Sequence, residues 1–216
     1  MKKKGWKSIY VSVGLLVAFA LWTTLLYFVD VAAIGPRGSS VGFATLNGWF
    51  HELTGANMSL YVLTDWLGLV PIAVALGFAV LGLVQWIKRR SICKVDKTLF
   101  ALGGFYLIVM AAYVVFEFVV VNRRPVLIEG YLEASYPSST TMLVACVMPT
   151  AMMQLKARIQ NKTLRRTMNG LIFAFTVFMI LGRLISGVHW LSDIIGGLLL
   201  SAGLVIAYYG ATCFLE

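Results

Sequence analysis

Six stretches of mostly apolar residues dominate this sequence, at 8–29, 65–87, 99–121, 138–155, 170–188 and 193–214. An α-helix needs about 20 such residues to cross the hydrocarbon core of a bilayer. Backbone N–H and C=O groups find no water there, which leaves helices and closed barrels as spanning structures. The stretches are continuously apolar and lack the in–out alternation of barrel strands, so the barrel is excluded. The expectation is all-α: a polytopic membrane protein built as a six-helix transmembrane bundle, in one domain over 1–216. Composition agrees, with 60% hydrophobic and 12% charged residues, against roughly a quarter charged in soluble domains. The basic segment Lys2–Lys7 resembles the start of a signal peptide. The apolar run behind it is too long for one, and no small-residue cleavage site closes it, so a retained span is expected.

The net charge is +9, which in a polar chain would point to nucleic acid. Here the cations follow topology instead. Lys2, Lys3, Lys4 and Lys7 precede the first stretch; Lys88, Arg89, Arg90, Lys94 and Lys97 follow the second. Lys156, Arg158, Lys162, Arg165 and Arg166 follow the fourth, so fourteen of eighteen cations fall on one side. The positive-inside rule makes that side cytoplasmic. No nucleic-acid partner is implied; anionic lipid headgroups are the partners that such a face attracts. The three cysteines, Cys93, Cys146 and Cys213, have no spacing that suggests metal or disulfide pairing.

The acids lie opposite. Asp30, Glu52, Asp65, Glu129, Glu133 and Asp193 fall on or near the outer side, with Glu117 a few turns below it. Between the first two spans, Val41, Phe43, Leu46, Trp49, Phe50 and Leu53 recur at near-helical spacing, with Asn47, His51 and Thr54 on the other face. This predicts an outer interfacial amphipathic helix with its apolar face in the headgroup boundary and its polar face solvated. His51 is read as a solvated residue of that face, a modulating role being the alternative.

Three clusters map to the outer ends of spans: Arg123-Arg124-Pro125; Tyr136-Pro137-Ser138-Ser139-Thr140-Thr141; and Arg183 with His189 and Asp193. Proline followed by Ser-Ser-Thr-Thr is a strong helix start, whose free N–H groups form an anion site. Arg124 and Arg183 are fork-shaped cations suited to phosphate oxygens. His189 and Asp193, four apart, share a helix face, so a carboxylate can hold one ring nitrogen and leave the other as nucleophile. Each feature alone has a plain structural reading, as a snorkelling arginine, a helix cap or a buried hydrogen bond. Together at one face of a bundle they point to a site.

Arg183-x5-His189-x3-Asp193 resembles the third signature of the type 2 phosphatidic acid phosphatase family, part of the acid phosphatase–haloperoxidase superfamily. Arg124-Pro125 resembles the end of its first, Lys-x6-Arg-Pro, and Pro137-Ser138-Ser139-Thr140 stands where Pro-Ser-Gly-His is expected. The resemblance implies hydrolysis of a lipid phosphate through a phosphohistidine, with neither metal nor cofactor. His189 would attack phosphorus and Asp193 would orient it. Arg124, Arg183, Ser138 and the N–H groups of 138–140 would cradle the phosphoryl oxygens. The family lysine falls on Glu117, which is expected to face the site or pair with an arginine, Arg123 offering partial compensation. The family's general-acid histidine falls on Thr140, its glycine on Ser139, and the serine before the third-signature arginine on Gly182.

Two functional classes follow. One is a lipid phosphate phosphatase at the outer face of a bacterial plasma membrane, favouring diphosphates because Thr140 is a poor acid. The other is a pseudoenzyme that binds lipid phosphate headgroups. A transporter is disfavoured, because the charges gather at one membrane face and no inverted repeat is visible.

Overall fold

The computed structural model describes residues 2–215, which form eight α-helices and no sheet. They are α1 (Lys2–Phe28), α2 (Ala44–Thr54), α3 (Met58–Leu67), α4 (Leu69–Arg89), α5 (Lys97–Phe118), α6 (Ser139–Arg158), α7 (Lys162–Ile185) and α8 (Leu191–Leu215). Five segments are long and apolar enough to cross a membrane: α1, the α3–α4 run over Met58–Arg89, α5, α7 and α8. The protein is an integral membrane protein of helical architecture. The second span is longer than its apolar stretch suggests, because α3 and α4 continue each other through Gly68.

α6 has the length to span but carries Thr140, Thr141, Thr150 and Gln154. Its position explains that polarity. α6 packs against α4, α5, α7 and α8, so its side chains meet protein where the outer helices meet lipid. Thr141, Thr150 and Gln154 are buried, and Gln154 is bonded to Thr98 O at 3.2 Å. An enclosed polar residue with a partner carries little of the cost of one exposed to hydrocarbon.

α1 lies along α8 with close backbone approach: Ser12 Oγ donates to Gly203 O at 2.8 Å. The basic segments gather at one end of the bundle. Asp96, just before α5, pairs with Arg89 at 3.0 Å and Arg158 at 3.5 Å, while Trp6 of α1 packs on Phe214 of α8. The three outer clusters lie at the other end.

α2 forms as the apolar spacing predicts, with Trp49 and Leu53 exposed, at 60% and 69%. Its opposite face departs from expectation. Asn47 is fully buried, its Nδ2 donating to Gly42 O at 2.7 Å and Ser192 Oγ at 2.9 Å. The polar face is therefore docked onto the start of α8, not solvated.

The turn from α7 to α8 depends on Gly187, whose φ of +65° suits glycine. A Cβ there would lie 1.7 Å from the carbonyl oxygen of Gly55, and Ser186 O accepts from Asn57 N at 2.9 Å next door. Gly187→Ala is expected to destabilise the protein by about 1–3 kcal/mol, through both φ strain and backbone collision. Thermal unfolding in detergent measures it; an unchanged midpoint contradicts the close approach.

Candidate active site

Three outer segments converge on one cavity, each by a local device. Asn122 and Arg124 pair with Ser135 and Glu133 in a short antiparallel ladder: Ser135 N donates to Asn122 O at 3.0 Å, Arg124 N to Glu133 O at 3.1 Å. The chain reverses at Glu129 and Gly130, both with positive φ, as tight hairpin turns require. This returns Arg124 over the bundle. The α7–α8 turn carries His189, and the first turn of α6 brings Ser138–Thr141 beside it.

His189 is 3% exposed. Its Nδ1 lies 3.1 Å from the backbone oxygen of Ser135. A carbonyl can only accept, so the proton sits on Nδ1 and Nε2 is unprotonated, its lone pair turned toward the Arg124 donor. Nε2 is 3.5 Å from Arg124 Nη1. Burial first, then the Arg124 and Arg183 charges, push the imidazole well below its ordinary titration range. The ring is a neutral base with one unprotonated nitrogen.

Asp193 does not hold that ring as its spacing suggests. Its Oδ2 is 3.8 Å from Nδ1, beyond hydrogen-bond reach. Oδ2 instead accepts from Trp190 N at 2.9 Å, and Oδ1 lies 3.3 Å from Asn122 Nδ2. Asp193 is the third residue of α8, where a carboxylate reaches back to the capping residue's N–H. Helix capping claims one oxygen, and the Ser135 carbonyl takes the hydrogen bond foreseen for the other.

Both arginines are buried, at 8% exposure for Arg124 and 1% for Arg183. Arg124 Nε pairs with Glu133 at 3.0 Å. Arg183 Nη1 reaches Thr64 Oγ1 at 3.4 Å and Tyr61 O and Asp65 at 3.5 Å. The Tyr61 ring joins them, 4.9 Å from the Arg183 guanidinium and 5.9 Å from that of Arg124. Ser138 N donates to Asp193 O at 3.1 Å, so that N–H is taken and does not complete an anion cradle. The N–H groups that follow it in the first turn have no partner within the helix. The hydroxyl of Ser138 is buried without a hydrogen-bond partner, which leaves it as a donor for a ligand.

The cavity beside Arg124 and His189 has a volume near 270 Å³, its lining including Ser135, Ser139, Glu117 and Glu133, while Arg183, Ser138 and Asp193 stand behind that lining. Glu117 thus faces the cavity, one of the two positions expected for it, and it forms no ion pair with an arginine among the described residues. Thr140 stands outside the lining, with its methyl near Gly68 at the α3–α4 junction. Arg123 departs from its expected place: it is exposed, donates to Leu132 O at 3.0 Å and is not part of the cavity lining. His51 departs too, for it is half-buried with its ring 5.5 Å from that of Trp190, outside the cavity.

Sequence reasoning missed Tyr61, Ser135, Asn122 and Asn47. Tyr61, Thr64 and Asp65 share one face of α3 at spacings of three and four, a signal hidden because the boundary at 65 divides them between the outer segment and the second apolar stretch. Asn122 sits two residues before Arg124 but carries no charge to draw attention.

Residues 100–213 match the sequence profile of the PAP2 superfamily. The fold is similar to the crystal structure of the first transmembrane PAP2-type phosphatidylglycerolphosphate phosphatase from Bacillus subtilis. That match covers 96% of this chain and 98% of the other, with a TM-score of 0.57 and 19% identity. At that identity the likeness is one of fold. A comparison with curated protein sequences gave no match.

Proposed function

The chain belongs to the PAP2 superfamily, and from that premise we propose that it is a lipid phosphate phosphatase working at the outer end of its bundle. The observation that carries this reading is His189, neutral, with Nε2 unprotonated and 3.5 Å from Arg124 at the edge of a cavity. In the proposed reaction Nε2 attacks phosphorus, the P–O bond to the leaving group breaks, and a phosphohistidine forms. Water then attacks phosphorus, the P–N bond breaks and inorganic phosphate departs. No metal or cofactor enters the scheme. Catalysis rests on a protein nucleophile and on positive charge held where the phosphoryl oxygens gather charge.

Each site residue has a part in the proposal. Arg124 and Arg183 bind phosphoryl oxygens, with Ser138, Ser139 and the N–H groups of the α6 start behind Ser138. Asp193 stabilises the ring electrostatically from 3.8 Å, while Ser135 fixes the tautomer. Glu133 neutralises part of the Arg124 charge, and Glu117 tunes the charge that a substrate meets. With fourteen of the eighteen cations on the opposite side of the bundle, the site lies on the non-cytoplasmic face of a bacterial plasma membrane. There it receives its substrate from the surrounding lipid.

A second reading has its own support. Glu117 puts an acid into the cavity where the family has a lysine, and Thr140 leaves it without the family's acid. On that reading the pocket binds lipid phosphate headgroups without turnover. Phosphate release from a lipid phosphate in excess chelator, compared between wild type and His189→Ala, separates the two. Chelator-resistant release that depends on His189 supports the phosphatase; binding without release supports the second reading.

A further inference from the structure

We infer that Asn122 is a positioning residue for the His189 nucleophile, and that Asn47 braces it from the outer helix α2. The inference rests on the phosphatase reading above and adds to it the groups that hold the ring. Asn122 is 1% exposed. Its backbone oxygen accepts from Ser135 N at 3.0 Å, and Ser135 O is the acceptor for His189 Nδ1. Its side-chain Nδ2 lies 3.3 Å from Asp193 Oδ1 and 3.4 Å from Ser192 Oγ, and its Oδ1 accepts from Gly42 N at 3.4 Å. One buried residue thus holds both groups that face Nδ1, the Ser135 carbonyl and the Asp193 carboxylate.

The orientation of this amide is fixed by chemistry. A backbone N–H can only donate, so Oδ1 must face Gly42, and Nδ2 is thereby turned to Asp193 and Ser192. Asparagine is the side chain of this size that offers a donor and an acceptor together. Asn47 extends the chain of contacts. It brackets Ser192, with Nδ2 2.9 Å from the hydroxyl and Oδ1 accepting from the backbone N–H at 3.1 Å. The path runs Asn47, Ser192, Asn122, then through Ser135 to His189, with Asp193 held beside the ring. Its far end is a helix whose other face exposes Trp49 and Leu53. A buried polar network restricts its members to few arrangements, and here the arrangement keeps the Ser135 carbonyl on Nδ1 and Nε2 unprotonated.

The test uses full-length protein in lipid–detergent micelles, with Asn122→Ala, Asn122→Asp and Asn47→Ala. Asn122→Asp keeps the size and removes the donor toward Asp193. Small misplacements of a reacting group cost about 100-fold, so both Asn122 variants are expected to lose about that factor in kcat. KM, and inhibition by inorganic phosphate, stay at wild-type values, since the arginines that bind the anion are untouched. Asn47→Ala, one link further away, loses less in the same direction. A second readout is independent of turnover. The sequence has two histidines, His51 and His189, so nitrogen-15 NMR of labelled histidine resolves each ring. Wild-type His189 is expected as the pure Nδ1–H tautomer, and the Asn122 variants as a mixture of tautomers. Should Asn122→Ala fail to fold, Asn122→Asp and Asn47→Ala carry the same two measurements. Wild-type kcat in a folded Asn122→Asp, or an unchanged tautomer, overturns the inference. Absence of phosphate release by wild type overturns the phosphatase reading instead, and the tautomer measurement still decides the role of Asn122.

Discussion

His189→Ala should abolish phosphate release while leaving phosphate binding in place. Loss of a protein nucleophile in other hydrolases that form a covalent intermediate lowers kcat by about 10⁵–10⁶-fold, and the same order is expected here. The geometry offers no replacement. His51 is the other histidine of the chain and packs on Trp190 outside the cavity. The hydroxyls of Ser135 and Ser138 are nearby, but a serine needs an adjacent base to act as a nucleophile, and the nearby base is the ring just removed. Arg124 and Arg183 keep their own partners, Glu133 and Asp65, at 3.0 Å and 3.5 Å, so the anion site outlives the substitution. Inorganic phosphate should therefore compete for lipid phosphate binding equally well in both proteins. Release at the wild-type rate from the alanine variant would place the chemistry on another residue. Binding without release in both proteins would favour the headgroup-binding reading.

The parts of this protein that could be read from its sequence were those that a single physical requirement controls. Bilayer thickness sets helix length, so the spans were visible as apolar runs. The third signature was visible because His189, Asp193 and Arg183 are costly residues to keep near a membrane. Errors arose where a residue had two claims on it. Asp193 lies at a helix start, and capping competes for the oxygen that spacing alone assigned to His189. Arg123 and Arg124 are adjacent and equally charged, yet the antiparallel ladder sends alternate side chains to opposite sides, so one lines the cavity and its neighbour does not. Asn47 looked solvated because polar faces of surface helices usually are; its burial depends on Ser192, 145 positions away. Such pairings have no local signal. The stretch 138–155 reads as a span from its apolar residues, and the polarity of α6 makes sense only once its neighbours are in place.

The missing acid leads to an expected substrate preference of large size. Breaking a phosphate monoester expels an alkoxide, a strong base that gains much from a proton donor. Breaking a diphosphate expels a phosphate, which leaves readily without one. General acid catalysis contributes about 10²–10⁴-fold, so turnover should favour a polyprenyl diphosphate over phosphatidic acid by a factor within that range. Thr140, which stands where the family keeps its histidine, lies outside the cavity lining and has no acidic proton near neutral pH. Glu133 is committed to Arg124 at 3.0 Å. Glu117 is the remaining candidate, since it faces the cavity free of any arginine. Thr140→His introduces an imidazole one residue beyond Ser139, which does line the cavity, and should raise monoester turnover much more than diphosphate turnover. Glu117→Gln separates the remaining possibility: if the carboxyl donates, monoester turnover falls and the wild-type selectivity is small from the start. Equal gains for both substrates in Thr140→His, or a wild-type preference for the monoester, would show that protonation of the leaving group is not what limits this enzyme.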